Sequence, residues 1–191
     1  MNIRKEQKEK RRWEILEVGL DLFIRKGYTA TKITDIAEAA GMSKGLLFHY
    51  FESKEALYRS LVELGLQGVN IAVNTPYERP LDFFNAVAQY ILQIVTTEPF
   101  AAKMFVLMNQ AQDNNFLPEE IRKQICQNDS IINTANLIKA GQLDGSIRDG
   151  EPLALSVSFW MALQGTAEAI ARNPAIPCPD AEWFVDIIRK K

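Results

Sequence analysis

The stretch Gly41-Met42-Ser43-Lys44-Gly45-Leu46-Leu47-Phe48-His49-Tyr50-Phe51 decides the fold of the N-terminal part of the chain. A serine hydroxyl can accept from the free amides of a first helical turn, so Ser43 predicts the start of a short helix. Leu47 and Phe51 share one face of that helix, whereas Lys44 and Phe48 lie on another. A helix with large aromatics on two faces needs a partner on each. Nucleic acid is the candidate for the second face.

The residues before this stretch predict two further helices. From about Lys8 to Lys26 apolar residues recur at helical spacing, and Gly27 is expected to end that helix with a left-handed residue. Thr31 is expected to cap a second helix of about eight residues, which Gly41 ends. Two short helices joined by a tight turn and braced by a longer one indicate a helix-turn-helix. A purely structural helical hairpin fits the same periodicity, but the aromatic outer face favours DNA binding.

Charge is distributed unevenly along the 191 residues. The net charge is −2, yet residues 1–51 hold ten Lys and Arg against seven Asp and Glu. The excess of positive charge lies mostly in the first twelve residues. This run is either a solvated tail or an arm that binds phosphates. No signal peptide or membrane-spanning run is expected. Cys126 and Cys178 stand far apart without companion ligands, so a reduced, cytoplasmic location is predicted, with no disulfide or zinc site.

Residues 11 to 57 resemble the DNA-binding head of the tetracycline-repressor (TetR) family of bacterial transcriptional regulators. The matching residues are Ile15-Leu16, Phe23, Gly27-Tyr28, Thr31, Ile36-Ala37, Ala40-Gly41, Ser43-Lys44-Gly45, Leu47, Tyr50-Phe51, Lys54 and Leu57. Two residues depart from the family pattern, which usually has tyrosine at Phe48 and often threonine at Leu46. The resemblance therefore implies that a phenolic phosphate contact is lost and that Leu46 makes apolar contacts, for instance to a thymine methyl.

The remainder of the chain also predicts helices. Ser53 begins a long one through about Asn70, and prolines at 76 and 80 mark a break. Further helices are expected over 81–97, 100–112, 118–141 (broken near 128–129), 152–172 and 180–189. The fold class is therefore all-α with about nine helices: an N-terminal three-helix head and a C-terminal helical ligand-binding and dimerisation domain. We place the helix-turn-helix domain at 1–52, a linking helix at 53–75 and the C-terminal domain at 76–191.

The resemblance assigns DNA contacts within and around the short helix. Bases are assigned to Leu46, Phe48 and His49, and the DNA backbone to Thr34, Lys44, Tyr50 and Lys54. The set is completed by Thr31, Ser43 and Gly45, although a helix cap is the simpler role for Thr31. His49 is the only histidine, and no thiol lies at a helical spacing from it. No catalytic residue, metal site or cofactor is therefore expected.

The C-terminal part offers candidates for a ligand cavity and for a dimer interface. The ligand candidates are Met104, Phe105, Met108, Asn109, Phe159 and Gln164, because thioethers, aromatics and amides line adaptable pockets. A stripe of this kind is also typical of plain core. A homodimer through the last two helices is implied by the resemblance. Their apolar residues, divided between core and interface, are Leu155, Phe159, Trp160, Leu163, Phe184, Ile187 and Ile188.

The predicted function is a transcriptional regulator, a repressor by the resemblance, that binds palindromic double-stranded DNA as a homodimer. A small hydrophobic effector is expected to release it. One alternative is an architectural or division-linked DNA-binding protein without a ligand. The other is an all-α enzyme that uses a hydrophobic cavity. The C-terminal part contains no histidine, serine motif or metal spacing, which argues against the enzyme.

Overall fold

The structure is a computed structural model that describes residues 3–73, 77–112, 114–127 and 129–191. These residues form ten α-helices and, apart from one isolated bridge between Ile147 and Arg189, no β-structure. The helices are α1 (Ile3–Ala30), α2 (Ile33–Ala39), α3 (Lys44–Phe48), α4 (Lys54–Val73), α5 (Pro80–Thr97), α6 (Pro99–Gln112), α7 (Glu119–Gln127), α8 (Ser130–Leu143), α9 (Pro152–Arg172) and α10 (Ala181–Val185). The all-α prediction is confirmed. The boundary placed between residues 75 and 76, the break at Pro76 and residue 128 of the break near 128–129 lie outside the described residues.

The first three helices form around two glycines with positive φ. Gly27 has φ 78° and kinks α1, so the helix continues to Ala30 in a new direction. Gly41 has φ 63° and turns the chain between α2 and α3. Glycine adopts this conformation without the steric cost that a Cβ imposes. Both turns were predicted, and they place α2 and α3 against the buried stripe of α1 that includes Ile15 and Phe23.

Serine side chains cap the N-termini of α3 and α4, whereas α2 has no side-chain cap. The Ser43 hydroxyl accepts from the Leu46 amide at 3.2 Å, and the Ser53 hydroxyl accepts from the Ala56 amide at 3.0 Å. Thr31 does not cap α2, whose N-cap is Lys32 without a side-chain bond. The Thr31 hydroxyl instead donates to the Gly27 carbonyl at 2.7 Å and is 1% exposed. The predicted helix cap is therefore wrong, and the buried, hydrogen-bonded hydroxyl is not open to the predicted DNA contact.

Two hydrophobic cores stabilise the chain, and α6 contributes to both. The head core contains buried residues of α1 to α4 together with Leu107 of α6 and Ile121 of α7. The second core is built by α5, α8, α9 and α10, with Ala102 of α6. α6 is also tied to α1 by polar contacts: the Lys103 ammonium lies 2.6 Å from the Asp21 carboxylate, and the Gln110 amide donates to the Ile24 carbonyl at 3.3 Å. The three-helix head is therefore packed directly against the C-terminal helices.

The last helix is shorter than the ten residues predicted. α10 begins at Ala181, where the Asp180 carboxylate accepts from the Glu182 amide at 2.9 Å, and ends at Val185. Beyond it, the Ile188 carbonyl accepts from the Arg148 amide at 2.9 Å. This pairing with the loop after α8 draws the backbone out of the helix.

Within the described residues, no helix is alone long and apolar enough to span a membrane. The sharply bent pair α5 and α6, which turns by 115°, meets that criterion by length and composition only.

Candidate nucleic-acid interface and ligand cavity

The short helix α3 presents one face to the head core and the other to solvent. Leu47 is fully buried, whereas its neighbours Leu46 and Phe48 are each 41% exposed. Gly45 is exposed with open space around it, and His49, the C-cap, is also exposed. Large apolar side chains left open on a five-residue helix need a partner outside the chain. The face predicted to contact DNA is therefore uncovered.

Charged and polar groups border this exposed face of α3. The Lys44 ammonium lies 5.6 Å from the centre of the Phe48 ring, and the Lys44 side chain is exposed. Thr34 on α2 is also exposed. Tyr50 is half-buried and packs against the head core, so only part of its side chain is open to a partner. The Ser43 hydroxyl is engaged in capping α3. Lys44 is thus the cation best placed beside the exposed apolar residues.

Lys54 has a structural partner that the sequence did not predict. Its ammonium donates to the carbonyl oxygens of Tyr28 at 2.6 Å and Thr31 at 3.0 Å, and it lies 4.2 Å from the centre of the Tyr28 ring. Burial lowers the pKa of Lys54. The ammonium therefore holds the end of α1 against the start of α4. This corrects the view of Lys54 as a free phosphate contact, since two of its three protons are used within the chain.

Arg12 is a second basic residue with a fixed position. Its guanidinium lies 4.6 Å from the centre of the Phe51 ring and donates to the Ser60 hydroxyl at 3.1 Å. Phe51 lies three residues beyond the last residue of α3 and is buried. Arg12, predicted as one residue of a charged tail, instead braces α3 and α4 from α1.

A cavity of about 310 Å³ lies between α1, α4, α5, α6 and α9. Met104, Phe105 and Met108 of the predicted ligand set line it, together with Trp13, Gly65, Gly68, Tyr90, Phe100 and Trp160 among others. None of the described residues around it carries a charged side chain, and its polar groups are few, among them the Gln67 amide and the Tyr90 hydroxyl. A volume of this size is at the small end of the range for ligand pockets, roughly 300–1,000 Å³.

A smaller cavity of about 90 Å³ shares four of these walls and includes Gln164. Asn109 and Phe159 line neither cavity. The Asn109 carboxamide oxygen accepts from Gln164 at 3.0 Å and its NH2 donates to Glu168 at 2.9 Å, which joins α6 to α9. Phe159 is fully buried and packs edge-on against Phe84 with ring centres 4.9 Å apart. The ligand prediction is corrected for both residues. Asn109 links α6 to α9 by hydrogen bonds, and Phe159 belongs to the hydrophobic core.

Several cavity residues were missed by the sequence analysis. Gly65 and Gly68 lie inside α4, where glycine is less favourable than alanine by about 1 kcal/mol. At Gly68 an added Cβ would meet nothing within 4 Å, so no neighbouring element explains the missing side chain. Gly65 leaves room for Met108, whose sulfur would lie 2.7 Å from an added Cβ, so the mid-helix glycine at 68 was the signal for a cavity. Trp13 gave no such signal, because only tertiary packing brings α1 to α6.

The outer surface of α9 carries an apolar stripe. Leu153, Val157 and Met161 recur every four residues and are exposed. Trp183 on α10 is exposed as well. Most of the residues predicted to divide between core and interface are buried, with Leu155 and Ile187 partly so. The exposed face of α9 is thus made by a different set of residues from the one predicted.

Comparison with known proteins agrees with this geometry. The sequence model described as "Bacterial regulatory proteins, tetR family" matches residues 15–61, from α1 into α4. The HTH-type transcriptional repressor KstR2 of Rhodococcus jostii (strain RHA1) is 34% identical over 180 residues, covering 82% of this chain and 80% of that protein.

Two solved structures share the fold. The ketosteroid transcriptional regulator KstR2 of Mycobacterium tuberculosis has a TM-score of 0.73 at 19% identity, covering 95% of this chain and 96% of that one. AibR in complex with isovaleryl coenzyme A and operator DNA has a TM-score of 0.69 at 19% identity, covering 92% and 94%. Among the described residues, no group of three or more His, Cys, Asp or Glu could hold a metal ion. The chain belongs to the TetR family of bacterial regulatory proteins, a transcriptional regulator and not an enzyme.

Proposed function

We propose that this protein is a homodimeric repressor that binds a palindromic operator and is released from it by a small, uncharged, apolar effector. The observation that carries the proposal is that α4 and α6 each supply residues both to the head core and to the 310 Å³ cavity. On α4, Leu61 packs in the head core and Gly65 lines the cavity. On α6, Met104 does both. A ligand that moves these walls acts on the packing of the head.

Contacts to DNA follow from the exposed face of α3. Leu46, Phe48 and His49 contact base edges, with Gly45 allowing close approach, while Lys44, Thr34 and the open part of Tyr50 contact the backbone. The basic residues from Arg4 to Lys10 add sequence-independent phosphate contacts. The relative AibR, whose complex contains operator DNA and isovaleryl coenzyme A, supports this combination of DNA and ligand in one fold.

The dimer is proposed to form through α9 and α10. The stripe of Leu153, Val157 and Met161 and the exposed Trp183 supply the apolar surface that such an interface buries. A two-fold axis there would place two α3 helices on successive major grooves, with half-sites about 34–36 Å apart or a multiple of that.

Selection of bound DNA from a random pool tests the operator. We expect a palindrome, and an affinity that falls steeply as salt rises because lysines displace counterions from phosphates. Sites without two-fold symmetry, or binding that salt does not weaken, would contradict the proposal. Genome-wide binding adds a second measure, since many dispersed sites would favour an architectural protein.

Analytical ultracentrifugation tests the dimer. Met161→Glu places a charge in the α9 stripe and should shift the wild-type dimer to monomer, because an unpaired buried charge is costly. Phe116→Ser, which changes an exposed aromatic ahead of α7, is the matched control and should stay dimeric. A dimer unaffected by Met161→Glu would exclude this face.

A further inference from the structure

Trp13 belongs to the head by its position on α1, yet it forms part of the cavity wall. Its ring lies 4.7 Å from the ring of Phe100, in the first turn of α6, at an interplanar angle of 39°. The indole NH donates to Glu17 at 3.1 Å, one turn further along α1. Its polar group is therefore satisfied, and the ring is held with an apolar surface toward the cavity.

The described residues leave much of the Trp13 side chain uncovered. Its residue surface is 44% exposed, although an indole is among the largest apolar groups a protein can bury. The ring lines the same cavity as Gly68, where an added Cβ would meet open space. A molecule that enters the cavity would therefore gain contact area against the indole.

Chemistry restricts which molecule that is. Apart from the Gln67 amide and the Tyr90 hydroxyl, the described cavity walls are aromatic, aliphatic and thioether groups, and none carries a charged side chain. A carboxylate or phosphate entering this space would lose its hydration without gaining a counter-charge. Aromatic and thioether walls instead favour flat or branched apolar groups. The ligand class is an uncharged apolar molecule.

Trp13 also has a short connection to the DNA-binding face. Its neighbour Arg12 contacts the Phe51 ring at 4.6 Å and the Ser60 hydroxyl at 3.1 Å, and Phe51 lies three residues beyond the last residue of α3. Two residues further along α1, Ile15 is fully buried in the head core. A displacement of α1 at Trp13 therefore moves the groups that position α3.

We propose that Trp13 is a ligand-contact residue through which an uncharged apolar effector acts directly on the first helix of the head. The ligand packs against the indole and competes with the Trp13–Phe100 contact. This inference rests on the proposed effector function and adds to it a residue of the DNA-binding head and a ligand class.

The test uses N-phenyl-1-naphthylamine as probe, with full-length protein and its selected operator. Wild type should bind the probe, and the probe should weaken operator binding. Trp13→Ala should bind the probe about fivefold to tenfold more weakly, as expected for losing one aromatic contact. Operator affinity is measured for each variant without and with probe, and the ratio of the two affinities, which is the measure of release, should be smaller for Trp13→Ala than for wild type. Trp13→Phe should restore most of the probe response.

Three controls separate the possible outcomes. Phe116→Leu changes an exposed aromatic side chain that lines neither cavity and should respond as wild type does. The anionic analogue 8-anilino-1-naphthalenesulfonate differs by one sulfonate and should bind about tenfold more weakly. Thermal unfolding of Trp13→Ala shows whether the head stays folded.

Equal probe binding and equal operator release by wild type and Trp13→Ala would overturn the role of Trp13 and leave the effector function standing. Probe binding without operator release in wild type would overturn the effector function itself. Failure of wild type to bind the probe, or preference for the sulfonate, would overturn the ligand class.

Discussion

The outer face of α3 and the cavity behind α4 are both apolar, but they are apolar in opposite ways. The α3 face is convex, carries Leu46 and Phe48 in solvent, and has the Lys44 ammonium beside it. The cavity is concave, and its described walls carry no charge. Exposed apolar groups next to a cation suit the methyl groups and phosphates of DNA, whereas a concave uncharged space suits a small neutral molecule.

The comparison also shows how the two surfaces are coupled. Residues of α4 and α6 that border the cavity also pack in the core beneath α3. A ligand that displaces these cavity walls therefore also changes the packing beneath α3. The proposed switch requires that α3 keep its own shape while its position changes, because DNA is contacted by the helix as a unit.

The largest difference in stability is expected between alanine substitutions of Leu46 and Leu47, which lie on opposite faces of α3. Leu47→Ala should lower the free energy of unfolding by about 2–5 kcal/mol, because a fully buried side chain leaves a void. Leu46→Ala should change stability by less than about 0.5 kcal/mol and alter base preference in the operator. Denaturant unfolding and binding to single-base operator variants measure the two quantities. Equal destabilisation by both substitutions would refute the division of faces.

Lys54→Ala tests whether that lysine contacts DNA or stabilises the packing of the head. We expect a loss of about 1–3 kcal/mol in unfolding free energy, because the Tyr28 and Thr31 carbonyls lose a charged donor. Lys32→Ala, which removes an exposed lysine nearby, is the stability control and should have little effect. Unchanged stability of Lys54→Ala, with weaker binding to all DNA sequences, would return Lys54 to the phosphate contacts.

Gly68→Leu should move stability and ligand binding in opposite directions. Removing a glycine from the interior of α4 should raise stability by up to about 1 kcal/mol. The new side chain occupies the cavity, so binding of N-phenyl-1-naphthylamine should fall by about tenfold or more. Gly68→Ala gives a similar helix gain with a single methyl and should retain most probe binding. Calorimetry measures the stability of the two variants, and fluorescence titration measures their probe binding. Undiminished probe binding by Gly68→Leu would place the ligand elsewhere.

The smallest effect is expected from Lys44→Ala on the DNA face. Loss of one phosphate contact should weaken binding to all DNA sequences alike, and it should reduce the slope of log affinity against log salt by about 1. Stability should be unchanged, since Lys44 is exposed and packs only near Phe48. Lys139→Ala, on the exposed surface of α8, should leave the slope as in wild type. A slope that Lys44→Ala does not alter would remove Lys44 from the interface.

Sequence reasoning succeeded where the determining interactions are local. The Ser43 cap, the positive φ at Gly41 and the opposite orientations of Leu46 and Leu47 follow from spacing within one helical turn. It failed where the partner is distant in sequence. Lys54 meets carbonyls 23 and 26 residues earlier, and α10 ends at Val185 because the chain beyond it pairs with the loop after α8. Periodicity carries no information about such contacts.

By itself the sequence determined that this protein is helical and that its N-terminal part is a helix-turn-helix with one uncovered face. Helical periodicity, caps and glycine turns are properties of neighbouring residues, so they are present in the sequence. Only the tertiary structure decided that Trp13 borders the cavity with Phe100, that Thr31 and Lys54 brace the head, and that Phe159 belongs to the core. Those outcomes depend on which helices pack together, and packing is selected by the whole chain at once.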